Sequence, residues 1–168
     1  LVIVLVSGGM DSLATAAIAN SEYSQMAFLH LNYGQKTEKK ELECFEKICD
    51  FYKIKKELRK IIDISFLSQI GGSSLTDKNI EVKKYKGDDQ EIPDSYVPFR
   101  NTHIISMAVS WAEVIGAKKI FIGAVFEDSS GYPDCRPSYY KALNELIKQG
   151  TKNGDIEVIT PVIFMKKD

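Results

Sequence analysis

The sequence predicts an α/β domain: a Rossmann-like, open, twisted and mainly parallel sheet with helices on both faces. Three observations carry this. Short apolar runs alternate along the chain with stretches of helical length. The first run, Val2–Val6, is apolar without alternation, the pattern of a strand covered on both sides. That run ends in Gly8-Gly9 immediately before an alanine-rich stretch, a strand–turn–helix junction.

The elements follow in order. Val2–Val6 is a buried parallel strand bounded by the two glycines. Asp11–Asn20, "DSLATAAIAN", is a helix, and Met26–Leu31, "MAFLHL", a second strand. Thr37–Tyr52 is an amphipathic helix with Leu42, Phe45, Ile48 and Cys49 on one face. Lys55–Ile62 is a third strand. Residues 71–98 break the rhythm with glycines, prolines and mixed charge, too long for a plain connection. They are expected to form a surface insertion or lid. Asn101–Ile115 is a helix capped by Asn101 or Thr102 and ended by Gly116. Lys119–Val125 is a fourth strand, Ser138–Gln149 a helix closed by Gly150, and Glu157–Thr160 a short strand ended by Pro161. No internal repeat or linker divides the chain, so residues 1–168 are expected to form a single domain.

Composition sets outer limits. The chain has 168 residues, enough to bury a core, with a formal net charge of −1. Without a global basic field, bulk electrostatics do not favour a nucleic-acid partner. No apolar run approaches the length of a membrane span, and the opening run lacks the flank and cleavage site of a secretory signal. The sequence starts at Leu1, so an upstream N-terminus is expected. Three cysteines, an odd and sparse count, fit a reducing cytoplasm. Cys44 and Cys49 diverge on a helix and read as packing residues. His30 and His103 are isolated, lack ligand spacing and read as structural.

The first loop carries the chemistry. A strand, a glycine turn and a helix place backbone N–H groups without intrahelical partners at the positive end of a helix dipole, which suits an anion. Gly8 and Gly9 let the backbone approach phosphate without a Cβ in the way. Ser7 and Ser12 add hydroxyls, and Asp11 can cap the helix or help hold a metal ion. The spacing is neither that of the dinucleotide fingerprint nor that of a Walker loop.

"SGGMDS" resembles the PP-loop of the N-type ATP pyrophosphatases, a group with the adenine nucleotide alpha hydrolase-like fold. The resemblance implies ATP binding by Val6, Ser7, Gly8, Gly9, Met10, Asp11, Ser12 and Leu13, with Mg2+. "LNYGQ" at 31–35, "SSLTD" at 73–77, "VPFRNT" at 97–102 and "SGYPDCRPSYY" at 130–140 narrow the choice. Together they resemble the 7-cyano-7-deazaguanine synthase (QueC) family. That resemblance implies an ATP-dependent ligase joining ammonia to 7-carboxy-7-deazaguanine through acyl-adenylate and amide intermediates. AMP and pyrophosphate leave, and the nitrile precursor of queuosine or archaeosine forms. Asp11, Ser12 and Arg100 are expected to act in catalysis, and Tyr33, Gly34 and Gln35 to lie against the adenosine. Tyr132 can stack on a flat bicycle, Asp134 can accept from its donor edge, Arg136 can pair with the substrate carboxylate or a phosphate, and Arg100, at a helix start, is expected to contact phosphate. Asn101 and Gly131 complete the substrate set. Cys135 reads as a packed or loop-fixing thiol. Two alternatives stay open: another PP-loop enzyme, such as a tRNA-thiolating one, or a nucleotide-binding domain without turnover.

The sequence departs from the family pattern at Phe99, where glycine is usual, and at Lys36-Thr37, where a basic pair is usual. The family also carries a C-terminal cysteine cluster that binds zinc. The sequence stops at Asp168 before that cluster would begin, so zinc is expected of a longer chain, with no ligands here. Small-molecule substrates, no nucleic acid, no membrane, a homodimer and a cytoplasmic location complete the expectations.

Overall fold

The structure, a computed structural model, describes residues 1–76, 92, 94–126 and 132–165. Strands β1 (Val2–Leu5), β2 (Met26–Asn32), β3 (Arg59–Asp63), β4 (Lys119–Phe121) and β5 (Glu157–Ile159) form one parallel sheet in the order β3-β2-β1-β4-β5. The chain walks outward from β1 to β3, then returns to place β4 on the other side of β1. The crevice beyond the carboxyl ends of β1 and β4 is therefore a topological switch point, where open α/β sheets bind ligands.

The alternation of side chains along a strand divides the core in two. Val2, Val4 and Val6 face helices α1 (Met10–Glu22) and α2 (Glu38–Phe51), meeting Ala16, Ala19, Phe45 and Cys49. Ile3 and Leu5 face α4 (Arg100–Ile115) and α5 (Pro137–Gly150), meeting Ile105, Ala108, Trp111, Leu143 and Ile147. Both faces of β1 are covered, which is why the opening run carries no polar residue. Small residues at Thr15, Ala16 and Ala19 let α1 lie close on the sheet, and all three are fully buried. A short helix α3 (Leu67–Ile70) follows β3.

Several boundaries differ from the sequence expectations. The first half of the expected third strand is a 3-10 turn, Lys56–Leu58, and pairing begins only at Arg59. Arg59 fixes that corner by donating Nε–H to the Ile54 carbonyl at 2.8 Å and pairing with Asp50 at 2.7 Å. The fourth strand ends at Phe121 rather than Val125, because the chain leaves the sheet to line the crevice. Gly150 closes no helix from outside; it is the last residue of α5, and Thr151 caps it. Gly116 does end α4, at φ 72°.

Helix α4 is not capped by Asn101 or Thr102. It starts one residue earlier, at Arg100, behind Phe99 at φ 59°, ψ 20°. This is a left-handed conformation that suits glycine and costs an L residue about 1–2 kcal/mol. The backbone thus runs at Phe99 as a glycine would have it run. The expected surface insertion is not all surface either. Ser73 and Ser74 are fully buried, and the Ser74 N–H donates to the Asp94 carbonyl at 2.8 Å. Residues 77–91 and 93 lie outside the described residues.

Candidate functional site

A cleft of about 350 Å³ opens at the switch point. Its floor is the carboxyl ends of β1 and β2 and the segment after β4: Val6, Leu31, Ile122, Gly123 and Ala124. Its polar lining comes from Ser7, Asp11, Ser12, His30, Tyr33, Glu41, Arg100, Asn101 and Tyr132.

The glycine loop is held by close contacts. Gly8 sits at φ 86°, and a Cβ there would lie 2.7 Å from the Cys44 Cβ and 2.9 Å from the Glu41 carbonyl oxygen. Helix α2 therefore packs directly on the loop, and glycine is required at this position. Gly9 is the N-cap of α1 at φ −85°, with no side-chain cap bond, and a Cβ there would meet only the Ser7 Oγ at 3.6 Å. Among the described residues the Ser7 and Gly8 N–H groups make no hydrogen bond, while the Gly9 N–H donates to the Ser7 Oγ at 3.4 Å. On the far side, a Cβ on Gly123 would fall 2.8 Å from the Asp11 carbonyl. The start of α1 is thus clamped between α2 and the segment after β4. Gly123 escaped sequence reading because its φ is ordinary and only its neighbour's backbone requires glycine.

The expected residues divide. Val6, Ser7, Asp11, Ser12, Tyr33, Arg100, Asn101 and Tyr132 line the cleft. The Ser12 hydroxyl donates to the Gly9 carbonyl at 2.8 Å, so its proton stabilises the turn. Asp11 lies inside α1 and is not its N-cap. Met10 and Leu13 are 69% and 44% exposed and fall outside the lining. Gly34, at φ 82°, packs against Ser68, where a Cβ would lie 2.9 Å away. Gln35 is buried; its Oε1 accepts the Tyr33 N–H at 2.8 Å and its Nε2 donates to Glu41 at 3.0 Å. Gly34 and Gln35 build the turn that presents Tyr33 and Glu41, and neither lines the cleft.

Arg100 is the cation of the site. Its Nη1 donates to the Tyr33 hydroxyl at 3.2 Å, and its guanidinium lies 5.2 Å from the Tyr33 ring centroid. Among the described residues no carboxylate pairs with it. Burial opposes its charge, but Tyr33, Asp134 and Cys135 outweigh that and raise its pKa. Burial also raises the Tyr33 phenol, and Arg100 offsets this only in part. Tyr33 is therefore a neutral partner that orients Arg100 without cancelling its charge.

The 130–140 stretch enters beside α4. Tyr132 lines the cleft, bonds the Ser95 hydroxyl and packs against Tyr96, with ring centroids 5.9 Å apart. Asp134 is buried behind the cleft, not in its lining. Its Oδ2 accepts the Asn101 N–H at 3.0 Å, and the Asn101 amide donates to its carbonyl at 3.0 Å. Asp134 therefore caps α4 from outside the helix, which is why no local cap is needed. The Asn101 amide also reaches the Cys135 Sγ at 3.5 Å. Arg136 is exposed and outside the lining, as the residue before α5. Gly131 lies outside the described residues.

His30, Glu41, Gly123 and Cys135 line the cleft without having been singled out from the sequence as ligand contacts. Asp11 and Glu41 are the carboxylates of the lining, and both Glu41 oxygens already accept hydrogen bonds, Oε1 from the Thr37 hydroxyl and Oε2 from the Gln35 amide. The three cysteines do not fit a zinc site: Cys44 packs on Gly8, Cys49 lies in the core and Cys135 lines the cleft. Among the described residues no group of three or more His, Cys, Asp or Glu could hold a metal ion.

A parallel doubly wound sheet with a glycine loop at its switch point defines a Rossmann-like class of α/β domain, whose members bind ligands at that crevice. Two solved structures share the fold. One is a U34-tRNA thiolase, NcsA, from Methanococcus maripaludis: TM-score 0.60, 19% identity, 99% of this chain and 53% of that one. The other is a predicted subunit of tRNA methyltransferase from Methanocaldococcus jannaschii: TM-score 0.54, 14% identity, 98% and 69%. The chain belongs to the family described as queuosine biosynthesis protein QueC, whose sequence profile matches residues 1–168. It is 61% identical over 166 residues to the 7-cyano-7-deazaguanine synthase of Chloroherpeton thalassium, spanning 98% of this chain and 73% of the relative. The protein of that name from Chlorobaculum parvum is 56% identical, with 98% and 72% covered. The chain is thus an enzyme of queuosine precursor synthesis. Among the described residues no helix is long and apolar enough to cross a membrane.

Proposed function

We propose that the chain converts 7-carboxy-7-deazaguanine and ammonia to 7-cyano-7-deazaguanine, consuming ATP at the cleft. The observation that carries this reading is the pairing of two features in one cavity. Ser7 lines the cleft beside the start of α1, with its N–H making no hydrogen bond among the described residues, and Arg100 offers a cation with no carboxylate partner among the described residues. One end suits pyrophosphate, the other a carboxylate or the α-phosphate.

A carboxylate oxygen cannot leave as such. The substrate carboxylate attacks the α-phosphorus of ATP, forming the acyl adenylate and expelling pyrophosphate. Donors already aimed at the loop stabilise the charge that grows on that leaving group. Ammonia adds to the acyl carbon, AMP departs with the former carboxylate oxygen, and a proton is lost, giving the amide. The amide oxygen then attacks the α-phosphorus of a second ATP and expels pyrophosphate; loss of AMP, carrying that oxygen, and of both N–H protons gives the nitrile. No protein nucleophile is needed, since the work is positioning and charge stabilisation. Arg100, held by Tyr33, pairs with the reacting carboxylate or α-phosphate. Asp11 would help hold Mg2+, which supplies charge neutralisation at the phosphates. Tyr132 covers the flat bicycle. Asp134 and Asn101 set the start of α4, and so Arg100.

The test is product analysis by mass spectrometry with ATP, Mg2+, ammonia and the carboxylate. AMP and the nitrile support the reading. AMP formed only when tRNA is added would replace it with a thiolation-type reaction.

A further inference from the structure

His30 is 1% exposed, yet it lies at the cleft floor, and nothing in the proposed chemistry uses it. Its ring packs on Phe45 with centroids 5.3 Å apart. Its Nδ1 lies 2.8 Å from the Val6 carbonyl oxygen, and its Nε2 lies 3.0 Å from the Asn32 Oδ1, an atom that exchanges places with the amide nitrogen when the amide is turned over. A carbonyl only accepts, so Nδ1 carries a proton. With the Asn32 NH2 turned to the ring, Nε2 accepts and the neutral imidazole is satisfied at both ends.

The bond to Val6 stands where the sheet ladder stops. The Val6 N–H still donates to the Leu29 carbonyl at 2.9 Å. A regular parallel ladder would next pair the Val6 carbonyl with the Leu31 N–H. Among the described residues no backbone donor reaches that carbonyl, and the His30 ring takes it instead. The Val6–Ser7 peptide is trans, so its carbonyl and its N–H point in opposite directions. Holding the carbonyl toward β2 turns the Ser7 N–H away from β2, to the side of β1 on which β4 lies. We propose that His30 is a positioning residue for the anion loop: its Nδ1–H fixes the Val6 carbonyl and thereby aims the Ser7 N–H at the bound pyrophosphate. This rests on the reading of the loop as a pyrophosphate site.

The test uses the full-length chain and three variants. An asparagine amide can reproduce a donor at the Nδ1 position, whereas glutamine places its amide further out, near Nε2. His30→Leu and His30→Gln are expected to weaken inorganic pyrophosphate and ATP binding by calorimetry about tenfold, the loss of one well-placed bond. His30→Asn is expected to stay within about threefold of the parent. Affinity for 7-carboxy-7-deazaguanine is expected to be the same in all. Long-range proton–nitrogen NMR of the parent is expected to show a protonated Nδ1. Asparagine no better than glutamine, leucine equal to the parent, or an Nε2–H tautomer would each overturn the proposal. If the parent binds neither pyrophosphate nor ATP, the loop reading itself fails. The Ser7 and Gly9 amide shifts of the ligand-free variants then still decide the positioning claim. Displacement in leucine and glutamine with restoration in asparagine upholds it, and unmoved shifts sink it.

Discussion

Asp134 and Asn101 hold each other by two bonds: the Asp134 Oδ2 accepts the Asn101 N–H, and the Asn101 Nδ2 donates to the Asp134 carbonyl, both at 3.0 Å. Thirty-three residues separate them in sequence. The contact fixes the 132–136 segment to the start of the helix that carries Arg100, so a residue read as a substrate acceptor is also the cap of α4. Asp134→Ala leaves a buried N–H without its acceptor and is expected to cost about 1–3 kcal/mol in urea unfolding. Asp134→Asn keeps an accepting oxygen and is expected to retain most of that stability. If Asn also keeps full affinity for 7-carboxy-7-deazaguanine, the carboxylate serves the helix alone.

Gly8 and Gly9 are adjacent but are constrained differently. Gly8→Ala combines a left-handed φ with a Cβ placed 2.7 Å from Cys44, and is expected to lower stability by about 2 kcal/mol or more. Gly9→Ala has an ordinary φ and open space, and is expected to cost about 1 kcal/mol or less. Its effect should fall on ATP: a folded Gly9→Ala protein is expected to bind ATP at least tenfold more weakly, because a methyl group intrudes where phosphate must approach the backbone. Unchanged ATP affinity in that variant would remove the loop from the binding account.

Cys49 lies fully buried between α2 and the sheet, and burial pushes its thiol up to about 12, against a lowering by Arg59. The unfolded thiol ionises near its ordinary value of 9.0. Between these values the unfolded chain releases a proton that the folded chain keeps. Stability contributed by Cys49 is therefore present below about pH 9 and falls as pH rises toward about 12. The fall in unfolding free energy from about pH 8 to about pH 10 is expected to be smaller in Cys49→Ala. In the native protein, iodoacetamide is expected to modify partly exposed Cys44 faster than Cys49.

Phe99 occupies a left-handed position just before α4, and 56% of it is exposed. Its ring lies edge-on to His103, with centroids 6.1 Å apart. Phe99→Gly and Phe99→Ala both lose that contact, but only glycine relieves the backbone. Glycine is expected to exceed alanine in stability by about 1 kcal/mol, measured by thermal unfolding. Equal stability would mean that the strain at φ 59° is absorbed elsewhere.

The fold was legible because its signals are local. Uniformly apolar Val2–Val6, the alanine face of α1 and Gly116 after α4 each state their surroundings in a few residues. The ends of β3 and β4 were not legible, since a strand stops where pairing stops, and pairing depends on a neighbour distant in sequence. The same limit applied to the site. "SGGMDS" marks the position of the glycine loop in a few residues, though not the contacts from α2 and Gly123 that hold it. That Gln35 supports the turn while Glu41 faces the cleft, or that Gly123 is needed because Asp11 lies against it, follows only from packing between elements. Asn101 shows this limit clearly. A polar residue at a helix start suggests a local cap, yet the cap comes from Asp134, and no pattern near Asn101 announces it.

The central claim is that one cleft adenylates a carboxylate and then an amide. The most direct measurement is the ratio of AMP released to nitrile formed by full-length protein supplied with ATP, Mg2+, ammonia and 7-carboxy-7-deazaguanine, followed by mass spectrometry. Two adenylations require about two AMP per nitrile, with the amide appearing first and being consumed. ATP binding without AMP, or AMP with neither amide nor nitrile, would contradict the account.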